Sequence, residues 1–414
     1  LGIKISNTST LFNKKILMRL AVVINLLILV YYKYLNFLLD SFLYLFNINI
    51  TSTVTTSVLL PLGLSFYTFQ NIGYILDIYR GSQKPERNIF NYALFVIFFP
   101  KLLVGPIERA KNLLHQISSN IHFAYSNLIE GSKRIVWGLF KKLVVAERIS
   151  LYVSVIDAHP EYQSGSTVFI ASVLYTFQVY ADFSGYADIA IGSAKLFGIN
   201  LMENFNRPLF AKNLSDFWRR WHISLSSWVN DYIFNPILLN KRKWKVWGVF
   251  YALFISFIII GIWHGASWNY ALFGFIQAII LFAELLTKKF RIKISKLVNP
   301  FLYNIFSIIL TFLTVSFCLI IFRSPSLIKS NNIILSIYNN KGDLYIDRPS
   351  TFIFIFIGII LMMISDIGKE FNLTRIQLNN SSNWIVQNIS YALLLIYILI
   401  AAVFDAGQFI YFSF

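Results

Sequence analysis

One cysteine, Cys318, is all that 414 residues contain, so the chain has neither an intrachain disulfide nor a thiolate metal site. Charge is scarce too: 13% of the residues are Asp, Glu, Lys or Arg, against about 25% in a soluble domain. Acidic residues are the scarcer sign, 19 against 36 Lys and Arg. No low-complexity tract, short-period repeat or stretch polar enough to form a soluble domain stands out. The signatures of several enzyme classes are missing as well. There is no HxxxH or HExxH, no GxSxG elbow, no P-loop and no GxGxxG, so metal-dependent, serine-hydrolase, ATP-driven and Rossmann chemistry find no support.

What the chain has in excess is apolar surface, with 57% hydrophobic and 17% aromatic residues. Runs of about 20 such residues recur, long enough to cross a hydrocarbon core of about 30 Å. They predict an all-α polytopic membrane protein, one integral-membrane domain over residues 1–414. Its spans are expected at 17–39, 54–79, 134–157, 167–190, 246–263, 266–287, 301–322, 351–368 and 384–405. A shorter apolar piece, 88–104, is interrupted by Pro100 and followed by Pro106, the pattern of a segment that dips into the membrane and returns. The run Ile16 to Tyr32 is too long for a signal-peptide core and no small-residue cleavage site follows, so it reads as a retained span. Leu1 in place of Met, with Lys4, Lys14, Lys15 and Arg19 close behind, has the look of a loop between spans, and predicts an N-terminally truncated sequence.

The net charge of +17 does not mark a nucleic-acid binder, because no basic block stands on a solvated domain. It fits cytoplasmic loops, which retain Lys and Arg. Basic clusters fall at 4–19, at Arg80, Lys84 and Arg87, at 133–148, at 195–245 and at 288–296, whereas 40–53 and 158–166 hold no Lys or Arg. Placing the clusters inside gives a consistent alternation through all nine spans. One loop is discordant: 323–350 must lie outside yet carries Arg323, Lys329, Lys341 and Arg348. In this arrangement residues 246–287 form a helical hairpin whose turn points outward, with Gly261, Gly265, Ala266 and Ser267 permitting close approach or a break. His264 is at that turn, about 27 Å of helix from Val246.

Three polar intrusions stand out against this apolar background. The first is His264 itself, in "GIWHGASWNYALFG". The second is "NLSDFWRRWHISLSSWVNDYIFNPI", residues 213–237. At helical spacing it puts Trp218, His222, Leu225 and Val229 on one face. Asp216 and Arg220 are spaced to pair, Asn213 or Ser215 is a candidate cap, and Pro236 an expected end. Such a helix suits a membrane interface, but that reading leaves His222 unexplained. The third is "QVYADFSGYADIAIG", residues 178–192, which places Asp182, Ser184 and Asp188 inside an expected span. A carboxylate at bilayer depth costs about 2.5–3.5 kcal/mol on insertion scales, so these residues are expected to face a bundle interior or an aqueous path.

Of five histidines, His115, His122 and His159 lie in polar stretches, and only His222 and His264 are embedded among Trp, Gly and apolar residues. Neither has acidic neighbours at ligand spacing, so a metal is not expected. An imidazole in an apolar pocket is neutral at pH 7 and can take a proton, which suits a general base acting on a hydroxyl. A core histidine bonded to backbone is the better account of His264 from the residues alone.

The pair "DFWRRWHISLSSWVNDYIFNPI" and "GIWHGASWNYALFG" closely resembles the paired histidine motifs of membrane-bound O-acyltransferases, nearest the branch that modifies bacterial polysaccharides. "LPLGLSFYTFQNIGYILDIYRG" (60–81), "FFPKLLVGPIER" (98–109), "GLFKKLVVAERI" (138–149), "YADFSGYADIAIGSAKLFGINLMENFNRP" (180–208) and "GQFIYFSF" (407–414) look like the same branch. The resemblance implies a ring of about 9–11 transmembrane helices with re-entrant or interfacial helices around a central funnel, in a bacterial cytoplasmic membrane. It gives His264 the place of the family's essential histidine and His222 that of its second one.

The chemistry implied is acyl transfer from a thioester, acetyl-CoA above all, to a hydroxyl on an exported or cell-surface polysaccharide, with no bound cofactor. His264 would be the base. His222, Trp218, Trp221 and Trp263 would line the channel, with Asp182 and Asn269 as further lining residues. Arg219, Arg220 and Lys212 would be candidates for donor phosphates. The resemblance also implies a secreted or periplasmic esterase-like acetyltransferase as partner. Two alternatives stay open: a transporter or flippase using Asp182 and Asp188 as an ion relay, and a non-catalytic scaffold of a glycan-modifying complex.

Overall fold

The helix most deeply enclosed by protein, Gly165–Leu196, carries two carboxylates, Asp182 and Asp188, among its buried residues. A computed structural model describes residues 1–48, 61–120, 122–346, 348–373 and 384–404. Its long helices are α1 (Leu11–Leu45, with a π-turn at Val30–Tyr34), α2 (Leu64–Arg80), α3 (Tyr125–Leu139), α4 (Glu147–Ala158), α5 (Gly165–Leu196), α6 (Leu214–Arg220), α7 (Ile223–Val229), α8 (Val246–His264), α9 (Trp268–Leu286), α10 (Lys288–Leu297), α11 (Pro300–Arg323), α12 (Leu327–Asn339), α13 (Pro349–Glu370) and α14 (Trp384–Ala401). No strand occurs among the described residues. The protein is an all-α polytopic membrane protein.

Six of these helices, α1, α8, α9, α11, α13 and α14, are long and apolar enough to cross a membrane. Three other expected spans are helical but of a different kind. The part of the 54–79 expectation before residue 61 lies outside the described residues, and α2 begins at Leu64. The expected span 134–157 is α3 and α4 joined by a π-turn, Phe140–Ala146, and carries six charges between Lys133 and Arg148. The span expected at 167–190 is α5, most of whose residues are buried.

These last two form the core, and they neutralise one another. Lys141 pairs with Asp188, and Arg134 reaches Asp188 at 2.9 Å and Glu203 at 2.5 Å. Lys142 meets Asp182 at 2.6 Å and Glu147 at 2.5 Å. Buried charges persist only when paired, so the polar residues of α5 face the charges of α3 and its π-turn and not lipid. The approach is close because glycines face each other: a Cβ on Gly138 would sit 2.6 Å from the Gly185 carbonyl, and one on Gly131 2.7 Å from that of Gly192.

The charge of the discordant loop 323–350 is also partly internal. Arg323 ends α11 with its side chain 4% exposed and pairs with Asp157 at 2.8 Å, so it is not a loop charge. The 88–104 piece breaks as its prolines require, into helices Ile89–Ile97 and Phe99–Leu102, with Pro100 in the first turn of the second.

Candidate active site

The segment around His222 departs from the single helix its periodicity predicts. α6 starts as expected, with the Asn213 side chain accepting from the Asp216 amide at 2.8 Å and Asp216 pairing with Arg220 at 3.2 Å. The helix then breaks. His222 adopts the left-handed conformation, φ 44° and ψ 53°, and α7 restarts at Ile223. A non-glycine residue there costs about 1–2 kcal/mol, and the 204–206 loop offsets this with tertiary hydrogen bonds. The Asn206 amide donates to the Arg220 carbonyl and the Ile223 amide to the Asn204 carbonyl, both at 2.9 Å. Pro236 does not end the run; it lies in the first turn of a further helix, Asn235–Asn240, behind a π-turn at Asn230–Phe234.

Asn204 also fixes the protons on His222. Its Oδ1 accepts the Ser224 amide at 3.1 Å and the Ser224 hydroxyl at 2.8 Å, and faces His222 Nδ1 at 3.1 Å. A backbone N–H can only donate, so the atom it meets is the amide oxygen and not the nitrogen. An oxygen can only accept from the ring, so Nδ1 carries the proton. Nε2 is left as a buried acceptor without a hydrogen-bond partner. The imidazole is fully buried, and that burial pushes its pKa down to about 3, so the ring stays neutral.

The second histidine is delivered by the α8–α9 hairpin, where the sequence places it. α8 ends at His264, Gly265 is extended, and the Ser267 side chain caps α9 by accepting from the Asn269 amide at 3.3 Å. The two helices touch backbone to backbone: a Cβ on Gly261 would lie 2.1 Å from the Tyr270 carbonyl, and one on Gly274 2.1 Å from that of Phe257. The His264 ring packs edge-on against Trp263 and Phe322, at 5.0 and 5.1 Å between centroids.

Trp263 joins the two histidines. Its indole lies 5.9 Å from His222 as well as 5.0 Å from His264, and is stacked on Phe69. A cavity of about 30 Å³, room for about one water, lies beside His264 and is walled by Trp218, Trp221, Gln277, Thr176 and Phe322. Trp218 Nε1 donates to Gln277 Oε1 at 2.9 Å and is held there.

A far larger polar cavity, about 780 Å³, reaches Asn204 and includes Arg134, Lys141, Arg207 and Lys369 in its walls. Arg207 is paired with Glu370 at 2.8 Å.

The structure therefore brings His222, His264, Trp218, Trp221 and Trp263 together and leaves other expected residues elsewhere. Arg219 has a side chain 74% exposed, and Arg220 is held between Asp216 and Glu370, so neither lines the cavity at Asn204. Asp182 is engaged with Lys142. Asn269 Nδ2 ties α9 to the α11–α12 corner, through the Ile321 and Ser324 carbonyls and the Ser330 hydroxyl. Among the described residues no group of three His, Cys, Asp or Glu side chains could hold a metal.

Two residues that sequence reasoning missed act on α8. Lys33 Nζ donates to the carbonyls of Trp263 at 2.7 Å and His264 at 3.2 Å, and the Tyr34 hydroxyl to that of Ile262 at 2.9 Å. The last carbonyls of a helix have no partner within it and favour a cation. The signal was present: Lys33 is the one charge between Val22 and Asp40, and a lysine within a span marks a functional position. Replacing Lys33 by methionine, which keeps length but not donors, is expected to lower turnover about 10-fold or more with little change in the Michaelis constants. Arginine at the same position is expected to restore part of it. Equal turnover in the methionine variant would show that the helix end needs no tether.

Paired histidines buried against one indole, inside an all-α membrane protein with a large polar cavity at the Asn204 that holds one of them, define an intramembrane site. The chain belongs to the membrane-bound O-acyltransferase family, whose model matches residues 86–322. It is 36% identical over 313 residues to the "Probable alginate O-acetylase AlgI" of Pseudomonas syringae pv. tomato, covering 74% of this chain and 58% of that protein. It is 32% identical over 356 residues to the peptidoglycan O-acetyltransferase of Helicobacter pylori, covering 79% and 65%. To the teichoic acid D-alanyltransferase of Bacillus subtilis it is 30% identical over 272 residues, covering 63% and 68%. The chain thus spans little more than half the length of the first of these relatives.

Proposed function

We propose that this protein transfers an acyl group, acetyl above all, from a thioester donor to a hydroxyl of an exported or cell-surface polysaccharide. The observation that carries the reading is the placement of His264 and His222 against Trp263, with a small cavity beside His264 and a large polar one that reaches the Asn204 bonded to His222. The similar proteins are named for acetyl or alanyl transfer to alginate, peptidoglycan and teichoic acid. Acyl transfer to a glycan or glycan-like polymer is what those names have in common.

In the reaction the acceptor hydroxyl oxygen attacks the thioester carbonyl carbon while His264 takes its proton. The carbon–sulfur bond then breaks, and the thiolate leaves with a proton returned through the same imidazole, so no net proton is gained or lost. The imidazole is the natural base because its neutral ring carries a lone pair on one nitrogen and a proton on the other. His222 presents its bare Nε2. It can therefore accept a hydrogen bond from a donor or acceptor group that enters, and Asn204 keeps it in that tautomer. The polar cavity is the vestibule for the thioester donor, where Lys369 and Arg207 meet its phosphates in charge-assisted contacts.

In the cell the protein sits in the bacterial cytoplasmic membrane, taking donor from the cytoplasm and delivering the acyl group outward. There an esterase-like secreted partner passes the group to the polysaccharide.

The reading is tested with the purified chain in vesicles together with the secreted proteins of its host, supplied with acetyl-CoA labelled in the acetyl group and a soluble glycan. Label is expected to appear in glycan ester, and Lys369→Gln is expected to raise the Michaelis constant for acetyl-CoA about 5- to 10-fold with turnover little changed. Absence of ester with every acyl thioester and glycan supplied, from protein that is folded and inserted, would overturn it.

A further inference from the structure

Away from the histidines, a groove of about 650 Å³ lies between the end of α9, the basic helix α10 and the first half of α11. Ile280, Ile294, Leu302, Phe306 and Leu310 make its walls apolar, and the last three are more than half exposed, so the groove opens to the outside of the bundle. Its course from Leu302 to Thr314 along α11 is about 18 Å at 1.5 Å per residue, more than half of a hydrocarbon core about 30 Å thick. The end at α10 is different in kind, because Arg291 stands there, and Lys212 lines the groove as well.

The hydrogen bonding at that end is incomplete. Arg291 donates from Nη2 to the Glu284 backbone carbonyl at 2.7 Å, while its Nε is buried with no partner. The Lys212 ammonium meets no carboxylate among the described residues. The neighbouring Glu284 carboxylate is already engaged, accepting the Leu214 amide at 2.6 Å and the Ser215 amide and hydroxyl at 3.1 Å each. It caps the start of α6, and none of these hydrogen bonds comes from either cation. A buried guanidinium nitrogen without an acceptor calls for an anion from outside the protein.

The cations decide between a lipid and a helix. A transmembrane helix offers such a groove an apolar surface and leaves Lys212 and Arg291 unmatched, whereas an anionic lipid supplies a phosphate and a hydrocarbon chain together.

We propose that this groove is a binding site for an anionic membrane phospholipid, its phosphate held by Arg291 and Lys212 and one acyl chain laid along α11 between Leu302 and Thr314. The headgroup then sits directly before α6, the helix that carries Trp218 and leads into His222. The inference stands on the groove and its charges and does not depend on the acyltransferase reading.

The test uses the whole chain, purified in neutral detergent, stripped of lipid and titrated with phosphatidylglycerol, with phosphatidylcholine of the same acyl chains, or with inorganic phosphate, while native mass spectrometry counts bound lipid. One phosphatidylglycerol per chain is expected, bound at least about 10-fold tighter than phosphatidylcholine, and Lys212→Gln with Arg291→Gln is expected to erase that preference. Leu310→Trp, which fills the groove and leaves both cations in place, is expected to lose both lipids, and it serves as the test should the double variant fail to fold. Equal retention of the two lipids by the unaltered protein would overturn the proposal. So would unchanged preference in the folded double variant, or inorganic phosphate binding as tightly as phosphatidylglycerol.

Discussion

Replacing His264 by glutamine is expected to lower acyl transfer by about 1,000-fold or more while the protein still inserts and folds. General-base catalysis contributes about 10²- to 10⁴-fold, and glutamine cannot exchange protons near neutral pH. The fold is expected to survive because the side chain at this position contributes packing against Trp263 and Phe322 and glutamine retains much of that volume. What holds α8 in place is backbone: the Lys33 and Tyr34 contacts to the carbonyls of 262–264 and the close approach at Gly261 and Gly274, none of which uses the imidazole. Initial rate of ester formation, read beside thermal melting in detergent, separates chemistry from folding. His222→Gln is expected to cost less, because it removes a lone pair and not the base. Wild-type ester formation by the folded His264→Gln variant would eliminate the catalytic role. It would leave a scaffold as the better account.

The α8–α9 hairpin was legible in the sequence because two independent signals agree there. Basic clusters flank it on both sides, and glycine and serine interrupt the apolar run where the chain turns. The break at His222 was not legible. Periodicity treats 213–237 as one helix, since nothing local forbids it, and the residues that interrupt it are Asn204 and Asn206, in a loop before α6. The motif singles out His222 in the sequence, but the conformation and tautomer of that residue depend on a tertiary contact. Lys33 was hidden for another reason, because one ammonium in a long apolar run hardly changes its average hydropathy. The cations of the polar cavity were seen only as loop charge, when Arg134 and Lys141 in fact lie within helices that pack on α5. The closing motif at 407–414 falls outside the described residues.

Replacing Asp188 by asparagine is expected to destabilise the protein more than any active-site substitution, and the reason decides between two functions. Asp188 accepts Lys141 and Arg134 at once, with its own side chain 12% exposed and that of Lys141 7%. Arg134 keeps Glu203 at 2.5 Å if Asp188 is lost, but Lys141 keeps only the Ser184 hydroxyl at 2.9 Å. Leaving one buried charge unpaired costs about 3–5 kcal/mol, a large part of a total stability of about 5–15 kcal/mol. Asp188→Asn is therefore expected to give little folded protein, with a markedly lower melting temperature in whatever can be purified. Adding Lys141→Met removes the stranded charge, so the double variant is expected to recover most of the lost stability. An ion relay makes the opposite demand: its carboxylate titrates as part of the cycle, so Asp188→Asn would fold normally and lose transport, and Lys141→Met would not rescue it. Yield and melting of the two single variants and the double variant form a cycle that distinguishes these cases. A stable Asp188→Asn protein would show that the α3–α5 core does not rest on this pair.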